Sequence, residues 1–205
     1  MNGRWLHQSG QEEAMVVFGG WAVGSAPFDA LPKDRDVYFL DDYRDLDADL
    51  PDLSVYSSVD LVAWSFGVAA FGHWQAENPT AFRHRVALCG SLNPVDRRQG
   101  IPPLAYRRTI DGLTQASYQQ FQTRVFGQEQ GEAEIDVAAR RAELQAVEGR
   151  GAAPDTVFDT VWIAQNDAIF PLQNMQRAWA GQEPRVVDAP HAPFEKISRW
   201  DAFWS

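Results

Sequence analysis

The sequence has almost no cysteine. Its single thiol, Cys89, excludes an intrachain disulfide framework and fits a reducing compartment such as a bacterial cytoplasm. Long apolar runs are missing as well. None approaches the ~20 residues that a membrane helix needs, and Met1 to Glu13 contain no apolar stretch of the signal-peptide kind. A cytoplasmic location without membrane contact is the expectation. Basic charge is scarce: 18 Lys and Arg stand against 28 Asp and Glu, a formal net charge of −10. That balance argues against general nucleic-acid binding, which needs a basic face to meet phosphates. Four histidines and one cysteine show no metal-ligand spacing, so no metal and no other cofactor is expected. What is present is ordinary. With 205 residues, 45% hydrophobic and 22% charged, the chain has one-domain length and enough apolar matter for a core.

Strand-like apolar runs recur along it. Ala14 to Gly20 ends in two glycines, and Val37 to Leu40 ends before Asp41-Asp42. Asp60 to Trp64 runs straight into Ser65-Phe66-Gly67 and a helical Val68 to Glu77. Arg85 to Gly90, Val157 to Ala164 and Arg185 to Asp188 complete the set, the last followed by a closing helix rich in Trp and Phe. Strands alternating with helices predict an α/β fold with a mostly parallel sheet covered on both faces. One segment breaks the rhythm. Residues 93–151 hold no convincing strand but three helical patches, around Pro103–Thr114, Ala116–Phe126 and Glu132–Glu148. Within a single domain 1–205, this insertion reads as a helical cap over the functional edge of the sheet. A helical excursion without a role is the alternative.

Ala63-Trp64-Ser65-Phe66-Gly67 carries the chemistry. It resembles the G-x-S-x-G nucleophile elbow, a sharp strand-to-helix turn that needs small flanking residues; here Ala63 replaces the first glycine. A serine that merely caps a helix is the bland reading. A hydroxyl attacks only when a base takes its proton, so a histidine is required. His73 lies eight residues along the same helix, about 12 Å away, and cannot reach. His7 and His84 sit in polar surroundings that predict solvent exposure. His191 follows the last strand, fourteen residues from the end, where the α/β-hydrolase order Ser…Asp/Glu…His puts the base. Asp167, after the penultimate strand, is the acid that would orient it, with Asn166 an adjacent rival. An oxyanion hole needs two convergent N–H donors. The amides of Phe66 and of Trp21, behind Gly19-Gly20, are the candidates. Gly19-Gly20-Trp-Ala-Val-Gly24 does not keep dinucleotide-loop spacing, and no Gly-Lys-Ser/Thr follows. Cys89, Trp179, Trp200 and Trp204 read as packing.

Several segments stand out together: Phe18-Gly-Gly-Trp, Asp42-Tyr-Arg-Asp-Leu, Leu61-Val-Ala-Trp-Ser-Phe-Gly-Val, Gly100-Ile-Pro, Asp167-Ala-Ile-Phe-Pro and the His191 region with Arg199-Trp200. In these the chain resembles the BioG family of pimeloyl-acyl-carrier-protein methyl ester esterases, which act in biotin synthesis. The resemblance runs over nearly the whole chain, and the family shares the missing first elbow glycine. It implies an acyl carrier protein as partner and hydrolysis of a methyl ester at the far end of a pimeloyl chain. Carrier proteins are acidic, as is this chain, so attraction must be local. Residues 95–150 contain eight of the 18 basic residues, all Arg, against eight acids. Arg97, Arg98, Arg107, Arg108, Arg124, Arg140 and Arg141 could give the cap a basic face, with Arg107, Arg108 and Arg124 expected to dock the carrier and its phosphopantetheine phosphate. The alternative is that these arginines pair with local acids. A general short-chain carboxylesterase or acyl-thioesterase is the competing activity, and an inactive binding module of the same fold the competing class.

Overall fold

The computed structural model describes residues 1–205. One sheet contains β1 (Asn2–His7), β2 (Glu13–Phe18), β3 (Asp36–Asp41), β4 (Ser58–Trp64), β5 (Arg85–Leu88), β6 (Thr160–Ala164) and β7 (Arg185–Val187). Their spatial order is β1-β3-β2-β4-β5-β6-β7, and every pair is parallel except β1 with β3. Five helices accompany them: α1 (Phe66–Glu77), α2 (Pro103–Asp111), α3 (Gln115–Phe126), α4 (Val137–Arg150) and α5 (Leu172–Ala178). No helix is long and apolar enough to cross a membrane.

Successive side chains of a strand point to opposite faces, and the central strands feed two cores accordingly. Val16, Phe18, Leu61, Ala63 and Ala87 join the core that holds α1 residues Val68, Phe71 and Trp74. Met15, Val17, Val62, Trp64, Val86 and Leu88 join the other. This two-sided burial is why β2, β4 and β5 read as continuous apolar runs rather than alternating ones.

The structure departs from the sequence reading in four places. β1 is an additional strand, antiparallel at the sheet edge, with Asn2, Gly3 and Arg4 exposed. Its polar outer residues hide the strand signal, as edge strands commonly do. β6 begins at Thr160, not Val157, which is 64% exposed; the four-residue β5 offers it only three partners. A further short helix, α5, follows Pro171. The closing helix is absent. In its place two 3₁₀ turns, Pro193–Lys196 and Trp200–Phe203, flank an extended Ile197. Pro193, and aromatics of modest helix propensity, favour packing over helix propagation. Ile197, Trp200 and Phe203 cover the second core directly. One face of the sheet therefore lies under helices, and the other under turns joined by one edge of α3.

Residues 93–151 do form helices. Thr114 and Ser117 make a reciprocal capping box at the start of α3, and Gly127, at φ 71°, ends it. Asp136 caps α4 by accepting from the Ala139 amide at 3.0 Å. Tyr106, Ile110, Tyr118, Leu144 and Val147 sink into the α1-side core. Val125 of α3 crosses to the second core.

Backbone strain is concentrated at one edge. The four non-glycine residues with positive φ are Ala22, Asp42, Ser65 and Cys89. Each follows the carboxyl end of a neighbouring parallel strand: β2, β3, β4 and β5. In open parallel sheets that edge is where sites form, and strain of this kind gathers at them.

Candidate active site

Ser65 sits between the end of β4 and the start of α1 at φ 60° and ψ −123°, a conformation costly for any residue with a Cβ. Its amide donates to Leu88 at 2.9 Å. The turn is tight enough to dictate its neighbours. A Cβ on Gly67 would lie 2.2 Å from the Phe18 carbonyl oxygen, and one on Gly90 would lie 2.2 Å from that of Ser65. Ala63, by contrast, lies inside β4 and is fully buried in register with Phe18 and Ala87. A methyl group fits there, so the first glycine of the elbow pattern is dispensable in this chain.

His191, in the loop after β7, reaches the serine. Its Nε2 is 2.9 Å from Ser65 Oγ, and its Nδ1 is 2.7 Å from Asp167 Oδ2. The other oxygen of Asp167 accepts from the amides of Ile169 and Phe170 at 2.7 and 2.8 Å. Both side chains are almost inaccessible, at 2% and 1%. Asn166 turns away and donates to Asp188 at 2.8 Å. Two rings also pack on the imidazole: Phe170 stacks on it at 5.7 Å and 12°, and Trp64 lies 5.7 Å away, tilted by 34°. Neither ring carries a sequence signal of this role. Phe170 follows Asp167 by three positions and Trp64 precedes the serine, but only the fold brings both rings against the imidazole.

The remaining histidines are elsewhere. His73 lies against the Gly151 carbonyl, and burial holds its imidazole below the usual range. His7 contacts Ser9. His84 departs from the solvated reading: its Nδ1 meets the buried Asp60 at 3.0 Å and its ring stacks on Trp204 at 4.7 Å. No cluster of three or more His, Cys, Asp or Glu is placed to hold a metal. Cys89 is fully buried, and burial raises its thiol well above the usual range.

A pocket of about 110 Å³ opens onto Ser65, and nine of its twelve lining residues are hydrophobic. Trp21 and Phe66 line it, as do Tyr106 from α2, Phe121 and Arg124 from α3, and Leu144 from α4. Phe66 is the first residue of its helix, so its amide has no intrahelical acceptor. The Trp21 amide donates to no backbone carbonyl. Both residues line the pocket together with Ser65. Such a site can pass a proton from hydroxyl to imidazole beside an apolar slot.

Of the arginines between 95 and 150, three are occupied internally. Arg140 bridges Asp42 and Glu143, Arg141 donates to the carbonyls of Ile110 and Leu113, and Arg150 donates to that of Tyr43. Arg107 forms an exposed pair with Glu148 at 2.9 Å. Arg97, Arg98, Arg108 and Arg124 are exposed and form no ion pair.

Sheet order, strained serine and its partners together define the α/β-hydrolase fold, and solved structures agree. The chain aligns with a lipase-esterase related protein from Clostridium acetobutylicum at a TM-score of 0.62 and 11% identity, covering 96% of each. An α/β-hydrolase fold protein from Burkholderia ambifaria gives 0.61 at 16% identity, covering 98% of this chain and 92% of that one. More particularly, the chain belongs to the BioG family, whose model, described as pimeloyl-ACP methyl esterase BioG, matches residues 1–203. The crystal structure of BioG from Haemophilus influenzae superposes over the full length of both chains at a TM-score of 0.90 and 25% identity. A malonyl-[acyl-carrier protein] O-methyltransferase from Bacteroides fragilis is 33% identical over 183 residues, 82% of this chain. The chain spans only 37% of that relative's length.

Proposed function

We propose that the chain is a serine carboxylesterase that converts pimeloyl-[acyl-carrier protein] methyl ester to pimeloyl-[acyl-carrier protein] and methanol in biotin synthesis. The observation that carries the chemistry is the continuous contact Ser65–His191–Asp167 beside an apolar pocket. Ser65 Oγ attacks the ester carbonyl while His191 Nε2 takes its proton. Asp167 stabilises the imidazolium without taking a proton itself. The carbonyl oxygen, now negative, accepts from the amides of Trp21 and Phe66. Methanol departs with the proton from His191, leaving an acyl-serine. Water, deprotonated by His191, opens that ester and restores the free serine.

The family description supports the substrate, and the pocket's apolar lining suits a methylene chain. The Bacteroides relative is named for methylating a carrier-bound acid, and hydrolysis of a carrier-bound methyl ester is the complementary reaction. In this reading α2–α4 act as the cap. Arg124 at the pocket and Arg107 and Arg108 on α2 dock the acidic carrier and its phosphopantetheine phosphate. The thioester is spared by position: the carrier stays outside while only the distal ester reaches Ser65.

The test is hydrolysis of pimeloyl-carrier methyl ester by the purified protein, with methanol and acid followed by mass spectrometry. Ser65→Ala is expected to lose on the order of 10⁴–10⁶ in kcat while still folding. Equal turnover of simple short-chain esters or acyl thioesters would replace this reading with a general esterase. Failure of a fluorophosphonate to label the wild-type protein would leave a binding module.

A further inference from the structure

The Asp42-Tyr43 corner after β3 has no part in the chemistry above, yet it touches the loop that supplies the Trp21 amide. We propose that Tyr43 is a positioning residue for this oxyanion loop, locked in place by Glu143 of α4, so that the cap helices and the oxyanion hole are built as one unit. The inference rests on the Ser65 reading, not on the carrier.

Three residues of the loop are tied down, each by a different group. The Tyr43 hydroxyl, fully buried, donates to the Gly19 carbonyl at 2.7 Å. Trp21 Nε1 donates to the Arg140 carbonyl of α4 at 3.1 Å. The Tyr118 hydroxyl of α3 donates to the Ala22 carbonyl at 2.7 Å. The Gly19 tie acts at the elbow itself, since the Gly19 oxygen lies 2.8 Å from where a Cβ on Gly67 would sit.

Tyr43 is in turn held by α4. Its amide donates to Glu143 Oε1 at 2.9 Å, and Arg150 donates to its carbonyl. Arg140 reaches both Glu143 and Asp42, whose left-handed φ of 62° turns the chain into the corner. Glu143 is fully buried, a rare place for a carboxylate, and the neighbours it serves are the Tyr43 amide and Arg140. The need for such anchoring is physical. An oxyanion is stabilised by N–H dipoles fixed before the reaction, whereas a Gly-Gly segment turns its peptide planes freely. A hydroxyl that claims the Gly19 carbonyl removes that freedom.

The experiment measures turnover of a small soluble ester and the rate of fluorophosphonate labelling at Ser65, each normalised to the folded fraction from circular dichroism. Tyr43→Phe is expected to lower both about 10–100-fold with KM within about twofold, the pattern of a lost transition-state contact. Glu143→Ala is expected to do the same although Glu143 does not line the pocket, and Glu143→Gln, which keeps a carbonyl acceptor, to restore most of the rate. If Tyr43→Phe does not fold, the Ala and Gln variants at Glu143 carry the test. Labelling within about twofold of wild type in the folded variants overturns the proposal. A wild-type protein that is labelled but leaves the carrier-bound ester intact would overturn only the carrier reading. One that resists the probe overturns both.

Discussion

The indole Nε1 of Trp64 donates a 3.1 Å hydrogen bond to the backbone carbonyl of His191. The residue before the serine thus fixes the residue that meets the serine from the other side. Trp64 is fully buried, and its ring also packs at 5.0 Å against Phe194, just beyond His191.

Trp64→Phe keeps an aromatic ring but leaves the His191 carbonyl without its donor. An imidazole displaced by a fraction of an ångström transfers its proton less well, so kcat is expected to fall about 10-fold with KM little changed. Steady-state kinetics on a small ester checks this. An unchanged kcat would mean that Asp167 and Phe170 alone set the ring.

The two neighbours Asp167 and Asn166 separate cleanly. Asp167 accepts from His191 and two amides, whereas Asn166 reaches only Asp188 at the surface. Asp167→Asn is expected to cost about 10⁴ in kcat, because an amide no longer favours the tautomer with Nδ1 protonated. Asn166→Ala is expected to stay within about threefold, since exposed polar contacts contribute little. His191→Ala should match Ser65→Ala, and His73→Ala should keep most activity. A dispensable Asp167 would break the assignment.

Carrier docking is testable through Arg107, Arg108 and Arg124. Neutralising all three is expected to raise KM for the carrier-bound ester and leave a small ester nearly unaffected. Each exposed contact is worth only ~0.2–1 kcal/mol, so single variants can be silent. Salt should raise the wild-type KM for the carrier substrate, since the Debye length is only ~8–10 Å near physiological ionic strength. Parallel losses on both substrates would point to damaged packing instead.

Glu143 makes stability depend on pH. Burial pushes its carboxyl up to about 7, against the pull of Arg140. Its folded value thus lies above the ordinary 4.5, and the native state holds this proton more tightly than the unfolded chain. Stability from this group is therefore greatest below about pH 4.5 and falls as pH rises towards about 7, by at most ~1.4 kcal/mol per pH unit. Asp42 acts in a separate window. Although burial opposes it, Arg44 and Arg140 hold its carboxyl below 3.8, so its contribution is lost only in acid. Glu143→Gln should flatten the decline, and its stability relative to wild type should grow between about pH 5 and about pH 7.5 in urea unfolding. Parallel curves for the two proteins would contradict this.

Much of the architecture is local and could be read before the fold. Ala14 to Phe18 and Leu61 to Trp64 announce themselves as buried strands, because a parallel sheet buries both faces and leaves an unbroken apolar run. The turn at Ser65-Phe66-Gly67 is legible for the same reason: a strand, a small residue and a helix must meet within three positions. The order of Ser65, Asp167 and His191 along the chain is legible too, as each follows a strand. β1 and the closing 3₁₀ turns are not, since an exposed edge and a cluster of aromatics carry no periodicity.

Tertiary structure alone decides the rest. Asp167 and Asn166 are adjacent and chemically similar, and only the loop between β6 and α5 determines which one faces His191. Arg140 and Arg141 look like surface charges on a helix, yet the first is spent on Asp42 and Glu143 and the second on two carbonyls of the α2 end. Tyr43 and Glu143 stand a hundred residues apart, and nothing near either predicts the 2.9 Å bond that joins them. Residue type and spacing determine which elements form, because those forces act within a few positions. Which buried polar groups find one another depends on how the sheet and the three helices close, and that is a property of the whole chain.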